Sequence, residues 1–274
     1  MYLEELFDSL NGKKIVLPRT IVTYGGGETF KADFVEIAET KGYKVDENAS
    51  LTTMREADHI MLVNGLRDIP LLILLNFIYR SKVIVYVQVP YHLKFSGLMG
   101  YVVNLFYLLI QGFPTYYGSR AHVKTKNAMI LFPISRRRVG RIKSLSLSSC
   151  SRDTFVFAFR LSKEKGIQSR DIASFINFSN GVKKNGGKVV HYGNVDFDLL
   201  KSYPYSDDII DFVEFRGYKR DWMEHCKGIF VHFSNYDGFG LAPVEASLAG
   251  LDVRVSYGVP EEAFIVAPKM QRIG

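Results

Sequence analysis

The residues best placed to do chemistry lie near the C-terminus, in N-Y-D-G-F-G-L-A-P-V-E-A-S-L-A-G, Asn235 to Gly250. Asp237 and Glu245 stand on either side of a small turn, Gly238–Phe239–Gly240–Leu241, that leads into a helical pattern. Where a strand passes through a glycine turn into a helix, unpaired N–H groups and the helix dipole converge, and the missing Cβ lets an anion come close. Gly25–Gly26–Gly27 in T-Y-G-G-G-E offers a second turn of this kind. Each glycine turn on its own also fits a plain connection. In F-A-F-R-L-S-K-E-K-G, Arg160 leaves a strand end and Lys165 follows five positions later. Such a pair suits a diphosphate, because Arg forks its donors and Lys adds a point charge, though both residue types are equally at home in solvent. His92, after the apolar run V-Q-V-P-Y, is either a structural hydrogen-bonding group or a site residue. His191 and His232 fall on strand-like stretches and read as structural. The six histidines contain no H-x-x-x-H pair, and no metal site is expected.

Alternating elements must position these groups. A strand from Lys14 enters the first glycine turn, a helix follows to Gly42, and short strands are expected at Tyr43–Val45, His59–Val63 and Val83–Val87. The apolar stretches Leu71–Tyr79 and Leu98–Phe113 are too short to span a bilayer and read as buried helices, with membrane-surface contact as the other reading of the longer one. The basic, serine-rich passage Ser135–Cys150 reads as a linker. Beyond it the alternation restarts, with strands at Thr154–Phe159, Lys188–Tyr192, Phe212–Phe215, Gly228–Phe233 and Leu251–Ser256. Helices are expected over Ile172–Val182, from Asp221 and over Ala242–Ala249. This order predicts an α/β chain of two Rossmann-like domains, 1–150 and 151–274, with a ligand outside the carboxyl ends of the strands.

Composition is that of a globular protein, 47% hydrophobic and 23% charged, and the net charge of +7 favours anionic partners. Nucleic acid is disfavoured, because the aromatics sit in apolar patterns instead of alternating with Lys and Arg. Cys150 and Cys226 have no ligand spacing and read as reduced thiols, with a disulfide between them as the alternative. The acids in MYLEELFDSL argue against an export signal, so a cytoplasmic location is expected, with peripheral membrane contact as the alternative.

Taken together and in order, R-L-S-K-E-K-G, H-Y-G-N, G-Y-K and D-G-F-G-L-A-P-V-E-A-S-L-A-G resemble the C-terminal half of retaining glycosyltransferases of family four. The likeness covers Phe155 to Val255. More weakly, Y-G-G-G-E and V-Q-V-P-Y-H resemble that family's first glycine loop and the strand before its sugar-site histidine. The resemblance implies a GT-B fold, with two Rossmann-like domains facing across a cleft, acceptor side first and donor side second. It implies transfer of a hexose from a nucleotide diphosphate sugar, with retention at the anomeric carbon and no cofactor or metal. The acceptor, lipid-linked or protein, is not named by it. The alternative is a non-catalytic nucleotide-sugar binder.

By the same resemblance, Arg160 and Lys165 hold the diphosphate and Glu245 accepts from the ribose hydroxyls. Asp237 is the acid nearest the sugar, and the backbone of Gly238, Phe239, Gly240 and Leu241 meets sugar and phosphate. Gly26 and Gly27 approach the diphosphate, and His92 lies near the sugar. Asp237 departs from the family's usual Glu and is one methylene shorter.

Overall fold

Runs such as Val83-Ile84-Val85-Tyr86-Val87, buried at every position, are what a parallel strand covered on both faces requires. The computed structural model describes the chain except for residues 18–25, 48–49, 64–68, 88–91, 93–95, 146–150, 162–168, 220, 236 and 274. The chain divides into two units, residues 1–23 with 27–138 and residues 24–26 with 139–274.

The first unit holds strands β1 (Lys14–Val16), β2 (Lys44–Asp46), β3 (His59–Val63), β4 (Val83–Val87), β5 (Thr115–Tyr117) and β6 (Ala128–Ile130), in the spatial order β2-β1-β3-β4-β5-β6. All of these pairs are parallel. Successive side chains alternate between two cores. Ile60, Leu62, Val83, Val85 and Val87 pack with Leu72 and Leu75 of α4 (Ile69–Ile78) and with Val103, Phe106 and Ile110 of α5 (Gly97–Ile110). Met61, Ile84 and Tyr86 pack with α1 (Leu3–Ser9) and α2 (Gly26–Thr40) through Leu6, Phe7, Phe30 and Phe34. α3 (Leu51–Glu56) adds Met54 to the first core, and the side chain of Ser50 caps it by accepting from Thr53 N.

Two sequence expectations need correction here. The helices over Leu71–Tyr79 and Leu98–Phe113 are not buried: one stripe of each enters the core, while Phe77, Ile78, Leu98, Tyr101 and Leu108 are exposed. Gly26 and Gly27 do not lie in a loop but open α2.

The passage expected as a linker is helical from Arg136 to Ser144, here α6. Ser135 sits before it and accepts from Arg138 N at 2.9 Å, the bond an N-cap serine makes. Its arginines meet carboxylates: Arg136 with Glu5, Arg137 with Glu36 at 2.7 Å, and Arg138 with Asp33 at 3.7 Å. Arg141 lies 3.5 Å from Asp221 and 3.7 Å from Glu224.

The second unit repeats the plan with β7 (Thr154–Ala158), β8 (Lys188–Tyr192), β9 (Glu214–Phe215), β10 (Ile229–His232), β11 (Asp252–Val255) and β12 (Gln271–Arg272), in the order β12-β11-β10-β7-β8-β9, again all parallel. α7 (Ser169–Lys184) covers one face through Ile172, Phe175 and Ile176. The short helices α8 (Phe197–Lys201), α9 (Asp207–Ile210), α10 (Leu241–Leu248) and α11 (Glu261–Val266) complete the unit. α10 packs on β10, β11 and α11. Cys226 is a buried free thiol, while Cys150 lies outside the described residues.

Candidate active site

In a parallel sheet the loops that can hold a ligand leave the carboxyl ends of the strands. In the second sheet β10, β7 and β8 are neighbours, so the segments after Ala158, Tyr192 and His232 emerge side by side. Residues 160, 193 and 237, distant in sequence, thereby share one edge.

Arg160, half-buried, follows β7 between two backbone bonds to the segment after β8: Phe159 N donates to Tyr192 O at 3.1 Å and Leu161 N to Asn194 O at 3.0 Å. Gly193 permits this approach. It has φ +131°, and a Cβ there would lie 2.2 Å from the Phe159 carbonyl oxygen. Its N–H donates to Gly217 O at 2.9 Å, which ties the H-Y-G-N turn to the G-Y-K loop. Lys165 lies outside the described residues.

The loop after β10 is held against the loop after β11. Ser256 Oγ donates to Ser234 O at 2.6 Å and accepts from Ser234 N at 2.8 Å, and Asp237 N donates to Gly258 O at 2.8 Å. Gly240 takes φ +78° and ψ 54° as the N-cap of α10, a left-handed conformation that a Cβ disfavours. Phe239 and Leu241 turn into the core, so this stretch offers a ligand its backbone, not those side chains. Glu245, in the second turn of α10, is 4% exposed.

Asp237 has a partner that sequence reading did not supply. Its Oδ2 lies 2.6 Å from Nε2 of His232, the last residue of β10. The His232 side chain is 5% exposed and that of Asp237 20%. Thus His232, read from sequence as structural, is paired with the Asp237 carboxylate. The signal available was a histidine at a strand's end five positions before the acid, with a turn between that folds back.

The other site candidates come from the N-terminal half of the sequence. His92 Nδ1 lies 3.2 Å from the Tyr107 hydroxyl of α5, and the His122 ring is 6.5 Å away. Burial first, then Lys124 and His122, push the His92 pKa down to about 4, so the ring is neutral near pH 7. Gly26 and Gly27 form the first turn of α2, where backbone N–H groups lack helical acceptors.

Two six-stranded parallel sheets, each layered with helices and joined end to end in one chain, are now in view. The fold is GT-B. Solved structures with the same architecture include HepE of Anabaena in complex with UDP and glucose, at TM-score 0.62 and 16% identity over 92% of this chain and 82% of that one. Sucrose-phosphate synthase of Thermosynechococcus elongatus matches at TM-score 0.63 and 12% identity, over 96% of this chain and 86% of that one. WaaG, a glycosyltransferase involved in lipopolysaccharide biosynthesis, matches at 0.55 and 10%, over 95% and 85%. No protein-family model and no curated protein sequence matches the chain.

Proposed function

We propose that the protein transfers a sugar from a nucleotide diphosphate donor to an acceptor hydroxyl, with retention at the anomeric carbon. What carries this reading is the gathering of Arg160, the Asp237 loop and α10 with Glu245 at the carboxyl edge of the second sheet. It is supported by the architecture shared with HepE, whose structures hold UDP, glucose and UDP-glucose. Arg160 and Lys165 neutralise the diphosphate, together with the amides that open α10. Glu245 accepts from the ribose. Asp237, oriented by His232, faces the sugar hydroxyls.

The bond between the anomeric carbon and the diphosphate oxygen breaks as positive charge builds on the sugar. The acceptor oxygen takes the vacated position on the same face, and its proton leaves with the diphosphate. Fixed cations and dipoles stabilise that departing charge without reorganising. His92, neutral at working pH, serves as a hydrogen-bonding group and not as an acid.

Calorimetric titration of the purified chain with a panel of nucleotide diphosphate sugars tests this, followed by measurement of nucleotide release with and without acceptors. One donor should bind and release nucleotide. If none binds, the proposal fails. Binding without release under any acceptor would favour a non-catalytic sugar-nucleotide receptor, the reading suggested by an Asp237 carboxylate already engaged by His232.

A further inference from the structure

α4 and α5 break the ordinary rule for surface helices. Each turns one apolar stripe inward, through Leu72 and Leu75 or through Val103, Phe106 and Ile110. The outward stripe of such a helix is normally polar and charged. Here it is Ile73, Leu74, Phe77 and Ile78 on α4, and Leu98, Tyr101, Leu105 and Leu108 on α5, all exposed. Phe77 is 85% exposed, Leu98 82% and Tyr101 75%. Neither helix carries a charged residue. The two helices pack against each other, so the stripes share a surface. Isolated exposed apolar residues are ordinary, but eight on two touching helices mark a surface that meets something.

Charge says what. From Ile69 to Ser135 the sequence has six Lys or Arg and no Asp or Glu. Both helices run from the carboxyl edge of the first sheet to its amino edge, because each connects parallel neighbouring strands. Exposed Arg80 lies at the amino edge, and a Cβ on Gly112, just past α5, would meet its guanidinium at 2.7 Å. Exposed Arg120 and Lys124 follow β5 at the opposite edge. Cations therefore bracket the apolar face at both ends. A second copy of the chain would bring this rim against itself, like charge on like.

We infer that the α4–α5 face docks the first unit on an anionic lipid bilayer, with its aromatic and aliphatic side chains entering the acyl boundary and Arg80, Arg120 and Lys124 meeting headgroup phosphates. Among the described residues no helix is long and apolar enough to cross a membrane, so the contact is to one leaflet. The inference does not depend on the transfer reaction.

Vesicle flotation of the full chain tests it without any activity measurement. Vesicles of phosphatidylcholine with about 30% phosphatidylserine should carry the protein up, neutral vesicles should carry far less, and added salt should weaken capture. Phe77→Ser and Leu98→Ser should each lower the bound fraction at least about tenfold. Both side chains are largely in solvent, so circular dichroism and melting temperature should stay those of the parent. Ile265→Ser, an equally simple change on an exposed residue of α11, should float like the parent. The inference is overturned if the parent stays down with anionic vesicles, if Ile265→Ser loses as much as Phe77→Ser, or if the face proves to be covered by a second copy, seen as a lipid-free dimer that Leu98→Ser dissociates.

Discussion

The contact between His232 and Asp237 makes the sharpest prediction about the site. Replacing His232 with Leu keeps a side chain of similar bulk in the slot beside Phe230 but removes Nε2, which lies 2.6 Å from the Asp237 carboxylate. A hydrogen bond to a charged group is worth about 1.5–3 kcal/mol. Asp237 retains 20% of its side-chain exposure, so water replaces part of the loss, leaving about 1–2 kcal/mol. If the carboxylate must hold one orientation toward the sugar, that energy enters the barrier, and donor turnover should fall roughly fivefold to thirtyfold. Gln at position 232 can still donate an N–H and should restore most of the rate. The assay is nucleotide release from the donor found by calorimetry, with melting temperature followed in parallel. Turnover at the parent's rate in His232→Leu, alongside a lowered melting temperature, would show that the pair supports the loop and nothing more. Equal losses in the Leu and Gln variants would also refute the orienting role.

Arg160→Ala should reduce turnover about a hundredfold, as loss of one leaving-group donor does, with an unchanged melting temperature as the control. Glu245→Ala should weaken nucleotide binding roughly tenfold or more by calorimetry, while a change in turnover alone would contradict the ribose assignment. Gly240→Ala places a Cβ in the left-handed region at 3.0 Å from Val259 Cγ1. It should cost about 1–2 kcal/mol in denaturant unfolding. His191 yields a prediction about pH. Burial pushes its pKa from the ordinary 6.5 to about 3, so the folded chain keeps the ring neutral while the unfolded chain protonates it. Its stabilising contribution is therefore complete above pH 6.5 and shrinks by up to about 1.4 kcal/mol per unit as pH falls from there toward 3. His191→Phe, in a cage of Phe159, Phe175 and Phe215, should flatten the loss of stability between pH 7 and pH 5 by about 2 kcal/mol. An unchanged pH dependence in equilibrium unfolding would refute it.

The strands that sequence patterning located best are those buried on both faces. His59–Val63, Val83–Val87 and Lys188–Tyr192 are unbroken runs of strand-forming residues, and their limits in the structure are the expected ones. Strands β5, β6 and β12 escaped, because two or three residues carry no period to read. The basic passage after Ser135 concealed a helix behind its charge. What decides its state is the N-cap at Ser135 and the set of carboxylates on Glu5, Asp33 and Glu36, all remote in sequence.

Taken alone, the sequence determined the α/β alternation and the two-unit plan, and it supplied the residues proposed to hold a diphosphate sugar, because periodicity, glycine turns and residue chemistry are local properties. Only the tertiary structure decided that His232 grips Asp237, that Phe239 and Leu241 face inward, and that half of each apolar helix in the first unit is bare. Those outcomes depend on which loop folds back on which strand and which helix face finds a sheet, and both are settled by contacts between residues that no local pattern connects.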